Sequence, residues 1–267
     1  MSSFHYARVQ DVAQARAAFD EAADPRYLAG GQTLLPVIKQ RLAAPDRLIA
    51  LRHIPELKGV CAEGDHLVIG AMTTHAALAG DATILASLPA LACLAAGIGD
   101  PHVRNLGTLG GALANNDPSA DYPAAVLALG GIIETDQRRI EAADFFVGMF
   151  TTALEPGELI KAVRMPRHVA SAYAKFPNPA SGYALVGVFI AQHAAGDVRV
   201  AITGAGDSVY RHAGLEAALN ASLTPDAIDA ITIDAEGLAS DLHASAAYRA
   251  HLISVLAKRA LAGLPKA

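Results

Sequence analysis

A chain of 267 residues exceeds one typical domain and is short for three, so two domains, or one with an appendage, are expected. It is 52% hydrophobic, has no tryptophan, and carries a net charge of −5 with both signs interspersed, which argues against a disordered chain and against a basic stripe for nucleic-acid phosphates. Mean hydropathy is high at +0.30, yet Gly, Pro or a charge cuts every alanine-rich stretch before the ~18 to 20 apolar residues a bilayer span needs, and Met1-Ser2-Ser3-Phe4 opens no secretion signal, so a cytoplasmic protein is expected.

In chain order, Arg26 to Ala29 reads as a strand, Leu34 to Leu42 as a helix and Arg47 to Leu51 as a second strand, together an α/β unit. Two apolar runs flanking Glu63-Gly64-Asp65 predict a hairpin over Leu57 to Ile69. Thr73 and Thr74 offer N-caps for a helix through Ala79, and Ile84 to Ala96 reads as one helix stopped by Gly97. From Gly97 to Pro123 the glycines, prolines and asparagines predict a long ordered loop with a functional role. A helix over Ala124 to Leu129 and strands over Gly131 to Thr135 and Glu158 to Met165 follow, and Pro166 marks the expected domain boundary. Beyond it, Tyr183 to His193 and Val198 to Thr203 form a strand pair, then helices are expected at about 212 to 220, 224 to 231 and 245 to 262, a small α+β appendage.

Two glycine motifs carry the chemistry. Ala29-Gly30-Gly31-Gln32-Thr33 lies between a strand and a helix, where glycines bring backbone N–H groups close to an anion and the helix dipole favours it. Taken alone, the same residues also suit a plain strand-to-helix turn. Gly107-Thr108-Leu109-Gly110-Gly111 is the second, and two such cradles suit a dinucleotide. Neither matches G-x-x-x-x-G-K-[ST] or G-x-G-x-x-G, which disfavours a P-loop or a standard Rossmann site, and Gly204-Ala205-Gly206 reads as a turn. The ten histidines make no H-E-x-x-H set; His102 is expected to cap a loop carbonyl, with a place near the bound dinucleotide as the alternative. Cys61 and Cys93 form no C-x-x-C pair, which excludes a Cys-ligated cluster within this chain, and both are expected to be buried small apolar residues.

The segments LAGGQTLLPVIKQRL, IGAMTTHAAL, IGDPHVRNLGTLGGALANNDPSADYPAAVLALGG and DLHASAAYRAHLISVLAKRAL, in this order, resemble the FAD-binding medium subunits of molybdenum hydroxylases, the carbon monoxide and xanthine dehydrogenase family, nearly end to end. The resemblance implies a non-Rossmann α+β fold of the PCMH/VAO-like kind. A two-subdomain α/β FAD-binding domain would span residues 1–166, in halves of about 1–55 and 56–166, with a C-terminal domain of antiparallel sheet and helices over 167–267. It implies that Tyr27, Leu28, Ala29, Gly30, Gly31, Gln32, Thr33, Leu34 and Leu35 wrap the pyrophosphate and ribityl chain, and that Thr108, Gly110, Gly111 and Ala112 form the second cradle. By the same resemblance Asp121 accepts hydrogen bonds from the adenosine ribose, Ile98 and Ile160 pack on the cofactor rings, Lys175 sets a cation near the flavin and Tyr183 covers one ring face. From the residues alone, Lys175 reads rather as a solvated strand lysine, and Tyr183 reads equally well as a core residue. The chain departs from relatives at Asn178-Pro179-Ala180-Ser181-Gly182, where a charge is frequent, and at Asn115-Asn116-Asp117 in place of a histidine and an acid.

The implied function is electron relay. FAD would take electrons from 2Fe-2S clusters of a small partner and pass them to an external acceptor, while a large partner holds the molybdenum cofactor, the whole forming a dimer of heterotrimers. Two other readings stand beside it: a stand-alone FAD oxidoreductase, which needs an acid or base beside the flavin, and a non-catalytic assembly protein, which would have no use for Gly30-Gly31 and Gly110-Gly111.

Overall fold

The computed structural model describes residues 3–265. It builds three sheets in succession, and each explains a stretch of sequence. The first is a parallel three-stranded sheet of β1 (His5–Arg8), β2 (Pro25–Leu28) and β3 (Arg47–Ala50), ordered β1-β3-β2, with α1 (Val12–Asp20) and α2 (Leu34–Lys39) as crossovers. Asp11 caps α1 by accepting from the Gln14 N–H. The helix expected through Leu42 ends at Lys39, and Arg41 takes a left-handed φ of 62°.

The second sheet is antiparallel, ordered β4-β5-β10-β6-β7. Its strands are β4 (Val60–Glu63), β5 (His66–Gly70), β6 (Ile132–Thr135), β7 (Arg139–Glu141) and β10 (Ile160–Pro166). The predicted hairpin is β4 and β5, turning through Gly64 at φ 56°. Between β5 and β6 runs a helical layer: α3 (His75–Gly80), α4 (Ala82–Ser87), α5 (Pro89–Ala96), α6 (Pro101–Leu106), α7 (Leu109–Asn115) and α8 (Tyr122–Leu129). After β7 come α9 (Ala142–Phe145) and a ribbon of β8 (Phe146–Gly148) and β9 (Thr151–Thr152).

Three expectations fail here. The single helix over Ile84 to Ala96 is two, because Pro89 lacks the N–H that would continue it, and Leu88 breaks to φ −142°. The loop expected from Gly97 to Pro123 contains two short helices, α6 and α7, each started by a side-chain cap: Asp100 accepts from Val103 N–H, with Pro101 at the first position, and Thr108 accepts from Gly111 N–H. Cys61 and Cys93 are both exposed rather than buried: Cys61 sits on the edge strand β4 and Cys93 on the outer side of α5.

The third sheet is antiparallel, in sequential order β11 (Ala170–Pro177), β12 (Ala184–Gln192), β13 (Val198–Thr203) and β14 (Tyr210–Arg211), followed by α10 (Ala213–Ala221), α11 (Pro225–Asp229) and α12 (Ala246–Ala262). Ser245 caps α12, and the buried Arg249 guanidinium donates to the Leu185 and Gly204 carbonyls at 2.5 and 2.7 Å, fastening the helix to the sheet. The apolar run Ala184-Leu-Val-Gly-Val-Phe-Ile-Ala is buried on both faces because strand side chains alternate. Val186, Val188 and Ile190 join a core with α10 and α12, whereas Phe189 and Ala191 join the core of the second sheet and α8. All eight residues of α8 are buried, as befits a helix apolar on every side. The C-terminal sheet is thus a wall shared by two cores.

Candidate functional site

A cleft of about 700 Å³ opens where the three sheets' connecting segments meet, a size in the range of small-molecule and cofactor sites. Its first wall is the turn after β2. Gly31 holds φ 73°, and the N–H groups of Gly31, Gln32, Thr33 and Leu34 find no acceptor among the described residues, although Leu35 and Val37 already donate to Gly31 and Thr33 carbonyls. Backbone donors left unpaired in a row at a helix start form an anion site. Gly30 is needed for another reason. A Cβ there would stand 2.1 Å from the Leu106 carbonyl oxygen and 2.8 Å from Gly107 Cα, so the two glycine motifs touch through it.

The second motif is different in kind. Leu109 and Gly110 donate to the Thr73 and Ala71 carbonyls, Gly111 to Thr108 Oγ1 and Ala112 to the Thr108 carbonyl, so this motif does not offer the row of free N–H groups expected of a second cradle. Thr73 is engaged with Gly59, and Thr74, which caps α3, bridges to Thr108. What remains for a ligand is the Thr108 hydroxyl proton and the bare face of Gly111, whose missing side chain would otherwise press on Ala29 and Thr108.

The third wall joins the loop before α8 to the C-terminal sheet. Asp121 is buried; Tyr173 Oη donates to its Oδ1 at 2.5 Å and the Lys175 ammonium to Oδ2 at 3.2 Å. Lys175 Nζ also donates to the Gly97 and Gly182 carbonyls at 2.8 and 3.1 Å. Burial raises the Asp121 carboxyl above its ordinary value, against the pull of Lys175 and Tyr173. The Thr203 hydroxyl lies 2.9 and 2.7 Å from the Pro118 and Ala120 carbonyls, and Gly204 N–H donates to Pro118 at 2.8 Å.

Most of the residues singled out from sequence line this cleft: Tyr27, Ala29 through Leu34, Ile98, Thr108, Gly110 through Ala112, Asp121, Ile160 and the half-exposed Tyr183. Three do not. Leu28 and Leu35 pack beneath Gly31, where its Cβ would meet their methyl groups, and Lys175 stands behind Asp121 rather than in the cleft. His102 is exposed on α6 and its ring has no hydrogen bond among the described residues, so it neither caps a carbonyl nor lines the cleft. Sequence reading missed Tyr173, His75, Tyr122 and Glu158. Glu158 is paired with Arg138, whose guanidinium, aided by the Glu155 N–H and the Thr135 hydroxyl, lowers the carboxyl to about 2 against the effect of burial. These residues gave no signal because each is defined by a partner far along the chain.

A row of free amides, the apolar side chains of Ile98, Leu159 and Ile160 in the lining, and a buried carboxylate together suit a dinucleotide with a flat ring system. Fold and cleft together suit the class of dinucleotide-binding proteins. Residues 2–168 match the family described as the FAD binding domain in molybdopterin dehydrogenase, and residues 171–264 match the CO dehydrogenase flavoprotein C-terminal domain. The chain belongs to this family, the FAD-binding medium subunits of molybdenum-hydroxylase-type dehydrogenases. It is 37% identical to the nicotine 6-hydroxylase medium subunit of Paenarthrobacter nicotinovorans, covering 89% of each chain, and 34% identical to the carbon monoxide dehydrogenase medium chain of Afipia carboxidovorans, covering 97% of this chain and 96% of that one. The structure of carbon monoxide dehydrogenase from Hydrogenophaga pseudoflava superposes with a TM-score of 0.89 at 34% identity, over 97% of this chain and 96% of that one. No helix among the described residues is long and apolar enough to cross a membrane.

Proposed function

We propose that the chain holds FAD in this cleft and relays electrons from 2Fe-2S clusters of a small partner subunit to an external acceptor, in a cytoplasmic dimer of heterotrimers whose large subunit carries the molybdenum cofactor and the substrate. The carrying observation is the turn from Gly31 to Leu34, whose free N–H groups suit the pyrophosphate. When bound, the flavin would supply a site that collects electrons delivered singly and holds them as a pair for the acceptor. The chain's own part is to bind, orient and insulate. Ile98, Leu159 and Ile160 keep water from the ring system, Tyr183 covers a face, and Asp121, fixed by Tyr173 and Lys175, offers its remaining lone pairs to a sugar hydroxyl. On this reading Lys175 acts through Asp121, as its neutralising partner.

The residues proposed to hold FAD are those lining the cleft, from a domain over residues 1–166, with residues 167–267 as the second domain. Asp121 and Glu158 are each committed to a cation, Lys175 and Arg138, which leaves neither as a base for a stand-alone oxidoreductase. Relatives named for nicotine, carbon monoxide and glyceraldehyde match at 37%, 34% and 30% identity, the pattern expected if another chain chooses the substrate. The test is an absorption spectrum of the purified chain and of the complex co-purified with its partners. Flavin bands in the chain, joined by iron–sulfur absorption only in the complex, are expected; flavin in neither sample, even with added FAD, would overturn the reading.

A further inference from the structure

One pair of polar side chains in the cleft is explained neither by the glycine motifs nor by Asp121. His75, the first residue of α3, is 5% exposed, and its Nδ1 lies 3.1 Å from the hydroxyl of Tyr122, which is fully buried at the start of α8. Both residues line the cleft, and neither His75 Nε2 nor the Tyr122 hydroxyl has a second hydrogen-bond partner among the described residues. Burial and the nearby Arg104 cation hold the imidazole neutral.

A neutral imidazole and a phenol carry one polar proton each, and the bond between them uses one. If Tyr122 donates to Nδ1, the ring proton sits on Nε2 and is unshared; if Nδ1–H donates, the phenolic proton is unshared. Either tautomer leaves one donor over, and because Tyr122 is fully buried only the first, with the proton on Nε2, puts that donor where a ligand can meet it. An unmatched donor in a buried site carries a desolvation cost that a ligand acceptor removes.

The position of the ring identifies that acceptor. A Cβ on Gly107 would stand 2.5 Å from His75 Nε2, so only a glycine at 107 lets the chain lie this close against that ring edge. The same Gly107 lies against Gly30, immediately before the turn with free N–H groups. Imidazole edge, bare glycine and free amides are therefore neighbours on one stretch of wall.

We infer that the His75–Tyr122 pair is a neutral hydrogen-bond donor to a phosphate oxygen of the bound dinucleotide, a cofactor contact additional to the glycine motifs. The inference rests on the cleft being the FAD site. It is tested on the flavin-free full chain by titration with FAD, ADP and riboflavin, using the wild type, His75→Met, which removes the donor, and His75→Gln, which keeps one. Each variant is also melted without ligand.

The expected result is a loss of about tenfold in FAD and ADP affinity for His75→Met, with riboflavin binding unchanged and most of the loss recovered in His75→Gln. Equal affinities across the three proteins, or riboflavin weakened as much as FAD, would overturn the inference and leave the pair as a core hydrogen bond read only in the melting temperature. A wild-type chain that binds none of the ligands would instead remove the cofactor reading, and this inference with it. Should His75→Met fail to fold, the wild type decides: with nitrogen-15 in its histidines, the ring nitrogen resonances of His75 shift on adding ADP and not on adding riboflavin, and their failure to move with ADP refutes the contact.

Discussion

Gly30 and Gly31 are adjacent in sequence and required for unrelated reasons. Gly31 supplies a left-handed backbone, whereas Gly30 lets the turn after β2 rest on the Leu106 carbonyl. Gly30→Ala should therefore push the two glycine motifs apart and weaken FAD binding at least tenfold, with a melting temperature lowered by several degrees, since the obstructing atom is backbone and cannot rotate away. Flavin fluorescence titration and thermal melting read both. His75 makes a second prediction. Burial and Arg104 lower its imidazole from 6.5 to about 4, so between those values the unfolded chain binds a proton that the folded chain refuses. The stabilising contribution is complete above pH 6.5 and drains as pH falls through the window towards 4, by at most about 3 kcal/mol. Urea unfolding of the flavin-free chain at stepped pH should show this slope, flattened in His75→Gln; identical slopes would contradict it. At this scale the free-amide turn of the first glycine motif was legible because it is contiguous, whereas the second motif's use of its N–H groups on Ala71 and Thr73 was not. The Asp121–Tyr173–Lys175 cluster was legible only in part, through Asp121 and Lys175, since nothing local to Tyr173 says that its hydroxyl meets a carboxylate 52 positions away.

Among the elements, the best-read were those with a single clear period: the β4–β5 hairpin, the β12–β13 pair and α12. The stretch from Gly97 to Pro123 was misread because its helices are short, six residues in α6 and seven in α7, and their glycines outweighed the caps at Asp100 and Thr108. The exposure of Cys93 escaped notice for the opposite reason. Nearly every position of α5 is apolar, so the pattern leaves no polar face to mark which side meets solvent. Asn116 ends α7 in the left-handed region, at φ 43°, and its amide donates to the Gly148 and Thr151 carbonyls at 2.8 Å each, tying α7 to the β8–β9 ribbon. Asn116→Ala should cost about 2 kcal/mol, from two lost bonds and a conformation alanine resists. Hydrogen exchange should then accelerate in the β8–β9 ribbon more than in β12. Uniform acceleration would mean that the ribbon is held by other contacts.

For the whole molecule, two domains separated near Pro166 were expected, and the thoroughness with which the third sheet is built into the second core was not. Phe189 and Ala191 face the α8 core while Val186, Val188 and Ile190 face α12, so a run that looked like one buried strand serves two cores. Cofactor binding should accordingly stabilise the chain as a unit. Calorimetry should show one cooperative transition, raised on saturation with FAD by the equivalent of about 2.7 kcal/mol at a hundredfold excess over the dissociation constant; two transitions, only one responding, would count against the shared wall. That wall also orders events during synthesis. The glycine motifs emerge from the ribosome early, but the loop from Pro118 to Asp121 is held by Tyr173, Lys175, Thr203 and Gly204, and that sheet is in turn fastened by Arg249. A nascent chain possesses the phosphate turn long before it can close the cleft, so the flavin enters after translation is nearly complete, and a truncation late in the gene would forfeit a cofactor whose binding motifs it still encodes.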